Sequence, residues 1–202
     1  MELNLLTLAY LFFRLAPFII VCYFSLASLF NQDMKGFIYL IGLLFACFIT
    51  FLVGETAFSQ TIPTTGATST SAVCNLITIG KLGSFSKLPL GITILTYTFF
   101  YLLYIIISKH FEMFNIPTLI FFPTLILSDL TWNIMHGCYP VFAVFTSLLL
   151  GAIMGLIWAR LIDQLNDPTL LFLNIGSNQS ACQRPSKQLF KCTFPARITP
   201  AS

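Results

Sequence analysis

The sequence predicts an all-α integral membrane protein: a helical bundle with four or five transmembrane helices and a short irregular C-terminal tail. Of its 202 residues, 57% are hydrophobic and only 8% are charged, whereas a soluble domain carries about 25% charged residues. The mean hydropathy is +0.88. The apolar residues gather into stretches close to the roughly 20 residues that a helix needs to cross a bilayer. A water-soluble globular domain is therefore excluded.

Five apolar stretches are candidate spans, because a chain in lipid must satisfy its backbone polar groups within a helix. They cover about residues 5–30, 36–54, 90–107, 116–130 and 140–158. The first is long enough to cross although it contains Arg14 and Pro17. The second is apolar throughout, and the third follows Pro89, a residue type favoured in the first turn of a helix.

The fourth stretch, Ile116–Leu130, leaves two interpretations open. It has only about 15 residues and contains Pro123, so a short tilted span and a re-entrant helix both fit, and we expect a span. The fifth stretch has Trp158 at the expected level of the membrane interface and Arg160 where the chain re-enters water. Arg160 and Asp163 are three residues apart on one helix face, and they are expected to form a local ion pair.

Lysine and arginine residues predict the orientation, because loops rich in them remain in the cytoplasm. With five spans, Lys81 and Lys87 lie on one side. Seven cations lie on the other side: Lys35, Lys109, Arg160, Arg184, Lys187, Lys191 and Arg197. If the fourth stretch does not cross, the count is again seven to two. The C-terminal tail is therefore expected in the cytoplasm, whereas the side of the N-terminus stays open.

A polar loop, residues 55–88, separates the second stretch from the third. It is rich in Ser, Thr and Gly between Ser59 and Ser71, and these residues favour irregular backbone because their side chains compete with regular hydrogen bonding. A connection of 34 residues is unusual in a compact domain and is typical of a binding loop or a disordered one. We expect this loop to be disordered or loosely docked.

The bundle is predicted to comprise residues 1–163 and the basic tail residues 164–202, which are too few to build a core of their own. A disulfide between Cys182 and Cys192 would close a loop of about ten residues and add on the order of 2–3 kcal/mol. It would not persist in a reducing cytosol, so two free thiols are the equal alternative. The tail cations are candidate contacts for partner proteins or anionic lipid: Arg184, Lys187, Lys191 and Arg197.

Small residues recur at every fourth position of the last stretch, at Ala143, Ser147, Gly151, Gly155 and Ala159. Such a column lies along one helix face and lets another backbone approach closely. It therefore predicts a helix-packing face. The face either packs inside the protein's own bundle, which we favour, or joins the last span to a second copy of the chain or to a partner helix.

Ionisable residues inside apolar stretches are functional hypotheses by default, because they are unfavourable in lipid. Arg14 either extends its side chain to the interface or pairs with Asp129 or Glu55 inside the bundle. Asp129 and His136 are expected to flank a short polar hairpin between the last two spans. There they would form a proton-binding site or simply belong to an interfacial turn.

The sequence lacks the signatures of catalysis, metal binding and nucleic-acid binding. No His-Glu-x-x-His and no Gly-x-Ser-x-Gly motif occurs, and these motifs are typical of metalloproteases and hydrolases. Cys182 and Cys192 have no second pair of metal ligands nearby. The excess of 10 Lys+Arg over 7 Asp+Glu is too small for direct nucleic-acid binding. We therefore expect no catalytic residues, no metal ligands and no cofactor.

Two motifs in the last third of the chain carry a resemblance to a known family. They are Gly151-x-x-x-Gly155-x-x-Trp158-Ala159-x-x-Ile162 and Cys182-x-x-Pro185-Ser186-Lys187-Gln188-x-Phe190-Lys191-Cys192. Together they resemble the end of small multi-span membrane proteins encoded by large double-stranded DNA viruses of algae and protists. The resemblance covers roughly residues 137–192, about a quarter of the chain.

The resemblance implies a structural role and a place in the virion. A protein of this kind is a membrane-embedded minor capsid component that links the internal membrane to the capsid shell, here through the loop and the tail. Its implied partners are membrane lipid and other capsid or membrane proteins. Its implied location is the internal membrane of the virion and the host membranes from which that membrane derives. The alternative is a small membrane transporter or channel that uses Arg14, Asp129 and His136.

Overall fold

The computed structural model describes residues 5–31, 34–57, 87–110 and 112–165, without the side chains of residues 5–11, 13, 14, 31 and 114. The chain divides into two compact units, Met1–Phe172 and Leu173–Ser202. All of the described residues belong to the first unit.

The described residues form five α-helices and no strand. The helices are α1 Leu5–Asn31, α2 Lys35–Ala57, α3 Leu90–Ser108, α4 Ile116–Met135 and α5 Val141–Gln164, with a single 3-10 turn at Glu112–Phe114 before α4. The four helices α2 to α5 are long and apolar enough to cross a membrane, and α1 contains the shorter apolar segment Leu15–Phe30. The predicted fold class, an all-α bundle of membrane-spanning helices, is confirmed.

α4 is the helix for which the sequence left two interpretations open, and it continues past the predicted end at Leu130 to Met135. Its hydroxyl side chains donate to carbonyl oxygens one turn earlier. Ser128 Oγ donates to the carbonyl oxygen of Thr124 at 2.8 Å, and Thr131 Oγ1 donates to that of Leu127 at 2.7 Å. Because these polar groups are satisfied inside the helix, they do not end it. The resulting 20 residues match the length of a full crossing.

Successive helices run in alternating directions, so α3 and α5 are parallel to each other. Near the start of both helices, Thr93 contacts Ser147. At their other ends, Lys109 contacts Asp163. α3 packs against each of the other four helices, and its buried residues, such as Ile92 and Leu95, form the centre of the core.

The outward faces of the helices are apolar. Large side chains that are about half or more exposed occur on α1, α2 and α5, among them Phe18, Phe30, Leu44, Leu149 and Ile153. Lipid tails are as apolar as these side chains and leave no hydrophobic driving force to bury them. The exterior is therefore the kind of surface that a bundle in lipid requires.

Candidate functional site

The small-residue column of α5 packs against α3. All five residues of this column are buried: Ala143, Ser147, Gly151, Gly155 and Ala159. We call this contact the α3–α5 seam. The structure thus places the column inside the protein's own bundle. A second copy of the chain could reach this face only by displacing α3.

Two glycines of the α3–α5 seam bring the helix backbones into direct contact. A Cβ atom at Gly151 would overlap Thr96 Oγ1 and lie 2.7 Å from the carbonyl oxygen of Thr93. A Cβ atom at Gly155 would lie 2.5 Å from the carbonyl oxygen of Tyr97 and 3.2 Å from the backbone nitrogen of Tyr101. Backbone atoms cannot move aside as a flexible side chain can, so both positions require glycine in this packing.

Threonine hydroxyls on α3 are satisfied at the same contact. Thr96 Oγ1 donates to the carbonyl oxygen of Ile92, one turn earlier, at 2.8 Å. Thr93 Oγ1 instead donates across the seam to the carbonyl oxygen of Ser147 at 3.4 Å. Hydroxyls that cross between helices hold membrane bundles together, since lipid offers them no other partner.

Three tyrosines form a buried cluster between α2 and α3, which we call the tyrosine cluster: Tyr39, Tyr97 and Tyr101. The ring centroid of Tyr39 lies 5.7 Å from that of Tyr97 and 5.5 Å from that of Tyr101. The Tyr39 hydroxyl lies 2.6 Å from Thr98 Oγ1, and the Tyr97 hydroxyl donates to the carbonyl oxygen of Tyr39 at 3.3 Å. Gly42 leaves room for the cluster, because a Cβ there would overlap the Tyr97 hydroxyl.

The tyrosine cluster was not predicted from the sequence. A pattern that could have indicated it is the spacing of Tyr97 and Tyr101, which are four residues apart on α3 and therefore share one helix face. Trp158 was expected at the membrane interface, and its Nε1 donates to the carbonyl oxygen of Ile38 at 3.1 Å. That hydrogen bond joins α5 to the first turn of α2.

Asp129 lies inside α4, so its predicted place in a polar hairpin is wrong. Both Asp129 and Asn133 are buried, and Asn133 Nδ2 donates to the backbone oxygen of Asp129 at 2.7 Å and to its Oδ1 at 3.2 Å. A Cβ atom at Gly91 would lie 3.5 Å from Pro17 Cγ and 4.0 Å from Asp129 Oδ2. We call this meeting point of α1, α3 and α4 the Asp129 junction.

The Asp129 junction lies at the beginning of α3. Gly91 is the second residue of that helix, and Pro89 before it makes no capping hydrogen bond through its side chain. The first N–H groups of a helix lack partners within the helix and carry a partial positive charge. The acidic side chain of Asp129 on α4 therefore lies near a helix end at which a negative charge is favoured.

His136 lies at the C-terminal end of α4, two turns beyond Asp129. Its ring stacks on Trp132 with centroids 4.0 Å apart, and its Nδ1 lies 3.0 Å from the carbonyl oxygen of Trp132. A carbonyl oxygen only accepts hydrogen bonds, so the proton of this contact is on Nδ1. The side chain of Arg14, the third residue of the transport alternative, lies outside the described residues.

One ion pair differs from the pair that was expected. Asp163 accepts from Lys109 Nζ at 2.9 Å, so the expected pair between Asp163 and Arg160 is wrong. The reason is that Asp163 points towards α3, whereas Arg160 is exposed. Glu55, one of two partners considered for Arg14, lies 3.6 Å from Lys87 Nζ.

The remaining predicted residues lie outside the described part of the chain. They are the possible disulfide partners Cys182 and Cys192, the tail cations Arg184, Lys187, Lys191 and Arg197, and loop residues 58–86. Among the described residues, no three His, Cys, Asp or Glu side chains gather closely enough to hold a metal ion.

Comparisons of the chain with protein-family models, with curated proteins and with solved structures found no match. The candidate sites are therefore chosen from the contacts of the described residues, and there are two of them. The α3–α5 seam holds two helices rigidly together, and the Asp129 junction holds a buried carboxylate at a helix start.

Proposed function

We propose that this chain is a structural membrane protein without catalytic activity, and that its bundle anchors the polar loop and the basic tail to a membrane. Following the sequence resemblance of its C-terminal third, we further propose that the membrane is the internal membrane of a large virus. There the chain would be a minor capsid component that links membrane and shell. The support for membrane anchoring is the set of four helices long and apolar enough to cross.

The single observation that carries the structural role is the α3–α5 seam. The seam leaves no space for a Cβ atom at Gly151 or Gly155, and the helix pair is tied beyond the seam by Lys109 and Asp163. Transporters move one group of helices against another around a binding site. A helix pair whose backbones touch at two glycines favours a fixed scaffold over such movement.

The topology also separates the two polar segments. The loop enters the bundle at the start of α3, and the tail leaves it at the end of α5. Because α3 and α5 are parallel, these two ends lie at opposite faces of the bundle.

Fractionation of purified virus particles tests this proposal. Detergent treatment of intact particles should release the chain with the lipid or leave it on the shell. Detection of the chain in host membranes but not in purified particles would overturn the capsid role. A separate extraction of membranes with alkaline carbonate tests the anchoring, since a chain that spans the bilayer stays in the membrane pellet.

A transporter or channel is the second candidate, and the Asp129 junction favours it. A buried carboxylate inside a membrane span is a functional hypothesis by default, and Asp129 is only 6% exposed. The test is proton flux into liposomes that contain the purified protein and a pH-sensitive dye. Flux that Asp129→Asn abolishes and Glu112→Gln preserves would establish transport. Flux no higher than that of empty liposomes would support the structural role.

A further inference from the structure

Arg160 is an exposed cation near the end of α5. The only carboxylate of that helix, Asp163, is already engaged. It accepts from Lys109 Nζ at 2.9 Å and from two hydroxyls, that of Ser108 at 3.3 Å and that of Tyr104 at 3.4 Å. Within the part of the chain that the structure describes, the guanidinium of Arg160 makes no hydrogen bond and no ion pair. Its positive charge is therefore available to a partner from outside these residues.

The neighbours of Arg160 on α5 form an outward strip of the helix. Three aliphatic side chains before it are exposed, those of Ile153, Leu156 and Ile157. Gln164, one turn after it, is also exposed, and its side-chain amide has no hydrogen-bond partner among the described residues. Positions three, four and seven apart share one helix face. We call these five residues the Arg160 strip, with two polar side chains at one end and an aliphatic stretch behind them.

The depth of Arg160 in the bundle follows from helix length and from a contact with α2. α5 begins at Val141, so Arg160 lies about 28 Å along the helix, close to the roughly 30 Å thickness of the hydrocarbon core. Trp158, two residues earlier, donates to the carbonyl oxygen of Ile38 in the first turn of α2. Arg160 therefore lies where hydrocarbon gives way to head groups, and the aliphatic part of the strip lies on the hydrocarbon side.

The charges of the described side chains favour the same end of the bundle. Three of the four lysine and arginine side chains that the structure describes lie there, because Lys35 begins α2 and Lys109 follows α3. The fourth, Lys87, lies at the opposite end with its Nζ 3.6 Å from Glu55. An end rich in cations is expected to face the cytoplasm, and the cytoplasmic leaflet is the one that carries anionic lipids.

We propose that the Arg160 strip binds an anionic phospholipid, with the phosphate on Arg160 and Gln164 and an acyl chain along the aliphatic side chains. The planar guanidinium presents N–H donors in a fork that matches phosphate oxygens, and the amide of Gln164 supplies a further donor. Because Lys109 neutralises Asp163, the remaining charge is positive and favours an anionic head group over a zwitterionic one. The site is independent of whether the bundle is a scaffold or a transporter.

Photocrosslinking of the full-length protein tests the site. The protein is reconstituted in phosphatidylcholine vesicles that contain a small fraction of phosphatidylglycerol with a diazirine on one acyl chain, and adducts are mapped by mass spectrometry. Adducts on α5 between Ile153 and Ile157 are expected. Arg160→Gln should lower their yield about fivefold, the factor for one cation at an anionic membrane surface, and Arg160→Lys should retain part of it. Lys87→Gln, which removes the same charge at the opposite end, is the matched control and should leave the yield unchanged.

Three results would overturn the proposal. They are equal α5 yields in the wild type and in Arg160→Gln, an equal yield with phosphatidylcholine that carries the same diazirine, and adducts confined to other segments of the chain. Sodium phosphate should displace the lipid no better than sodium chloride at the same ionic strength, and stronger displacement would assign the site to free phosphate instead. Circular dichroism of each variant verifies that its helix content equals that of the wild type, so a change in yield reports on binding.

Discussion

The hydroxyl oxygen of Tyr39 in α2 lies 2.6 Å from Oγ1 of Thr98 in α3, and this hydrogen bond joins two helices inside an apolar bundle. The single hydroxyl hydrogen of Thr98 is already donated to the carbonyl oxygen of Ile94, 2.7 Å away. Tyr39 is therefore the donor in the contact between the helices. Its direction is set by a bond that Thr98 makes within its own helix.

Replacement of this donor should destabilise the bundle. We expect Tyr39→Phe to lower the free energy of unfolding by about 0.6 kcal/mol, the average measured for hydrogen bonds between membrane helices, and by no more than the largest measured value of about 1.7 kcal/mol. Tyr23→Phe is the matched control, because Tyr23 is 62% exposed on the outer face of α1. Unfolding in detergent, followed by circular dichroism during titration with sodium dodecyl sulfate, measures both variants. Equal midpoints for the two variants would contradict the prediction.

The α3–α5 seam should not tolerate a single methyl group. Gly155→Ala places a Cβ 2.5 Å from the carbonyl oxygen of Tyr97, so the helices must separate, and overpacking of this kind costs about 1–3 kcal/mol. Gly54→Ala is the control, since its Cβ would meet Leu88 Cγ at an ordinary distance of 3.5 Å. Thermal unfolding in detergent should show a lower midpoint temperature for Gly155→Ala and an unchanged midpoint for Gly54→Ala. A midpoint unchanged from wild type would show that the seam is looser than the structure has it.

The ion pair between Lys109 and Asp163 should contribute little and should depend on salt. The two side chains are 37% and 22% exposed, and exposed pairs contribute about 0–1 kcal/mol. We expect Lys109→Met to lower stability by no more than about 1 kcal/mol, and the difference should shrink as salt screens the charges. Arg160→Met, at an exposed position of α5, the helix that carries Asp163, is the control. A larger loss of stability in Arg160→Met than in Lys109→Met would mean that Asp163 pairs with Arg160, as the sequence analysis expected.

The carboxylate of the Asp129 junction should stabilise the first turn of α3. Asp129→Asn removes an acidic group from beside the start of that helix, where an ionised acid contributes about 0.3–1 kcal/mol. We expect faster hydrogen exchange at the backbone amides of α3 near Gly91 and little change near Ile105. Glu112→Gln, on the 3-10 turn at the opposite face, is the control. Unchanged exchange near Gly91 would show that the charge of Asp129 does not act on α3.

Some features of the bundle were predicted because they depend on local pattern alone. The apolar stretches marked the helices, and the spacing of Gly151 and Gly155 marked a face for close packing. The end of α4 was predicted five residues too early, because polar residues such as Ser128 and Thr131 favour a turn by composition. Inside a helix the same hydroxyls donate to the preceding turn, and sequence composition does not distinguish these two uses.

The partners of the polar residues could not be predicted from the sequence, for a different reason. Asp163 had Arg160 three residues away on its own helix and Lys109 54 residues away, and the more distant residue is its partner. Likewise Tyr39 meets Thr98 across a separation of 59 residues. Such contacts depend on how two helices are rotated about their axes, which no local spacing specifies.

The sequence by itself determined that the chain belongs in lipid, that it is helical and that α5 has a face of small residues, because hydrophobicity and helical period are properties of each segment alone. Only the tertiary structure decided that α3 covers that face, that Asp129 lies at the start of another helix and that Lys109 pairs with Asp163. The physical reason is that short-range packing and hydrogen bonding act between atoms a few ångströms apart. Which atoms come that close is fixed only when all the helices pack together.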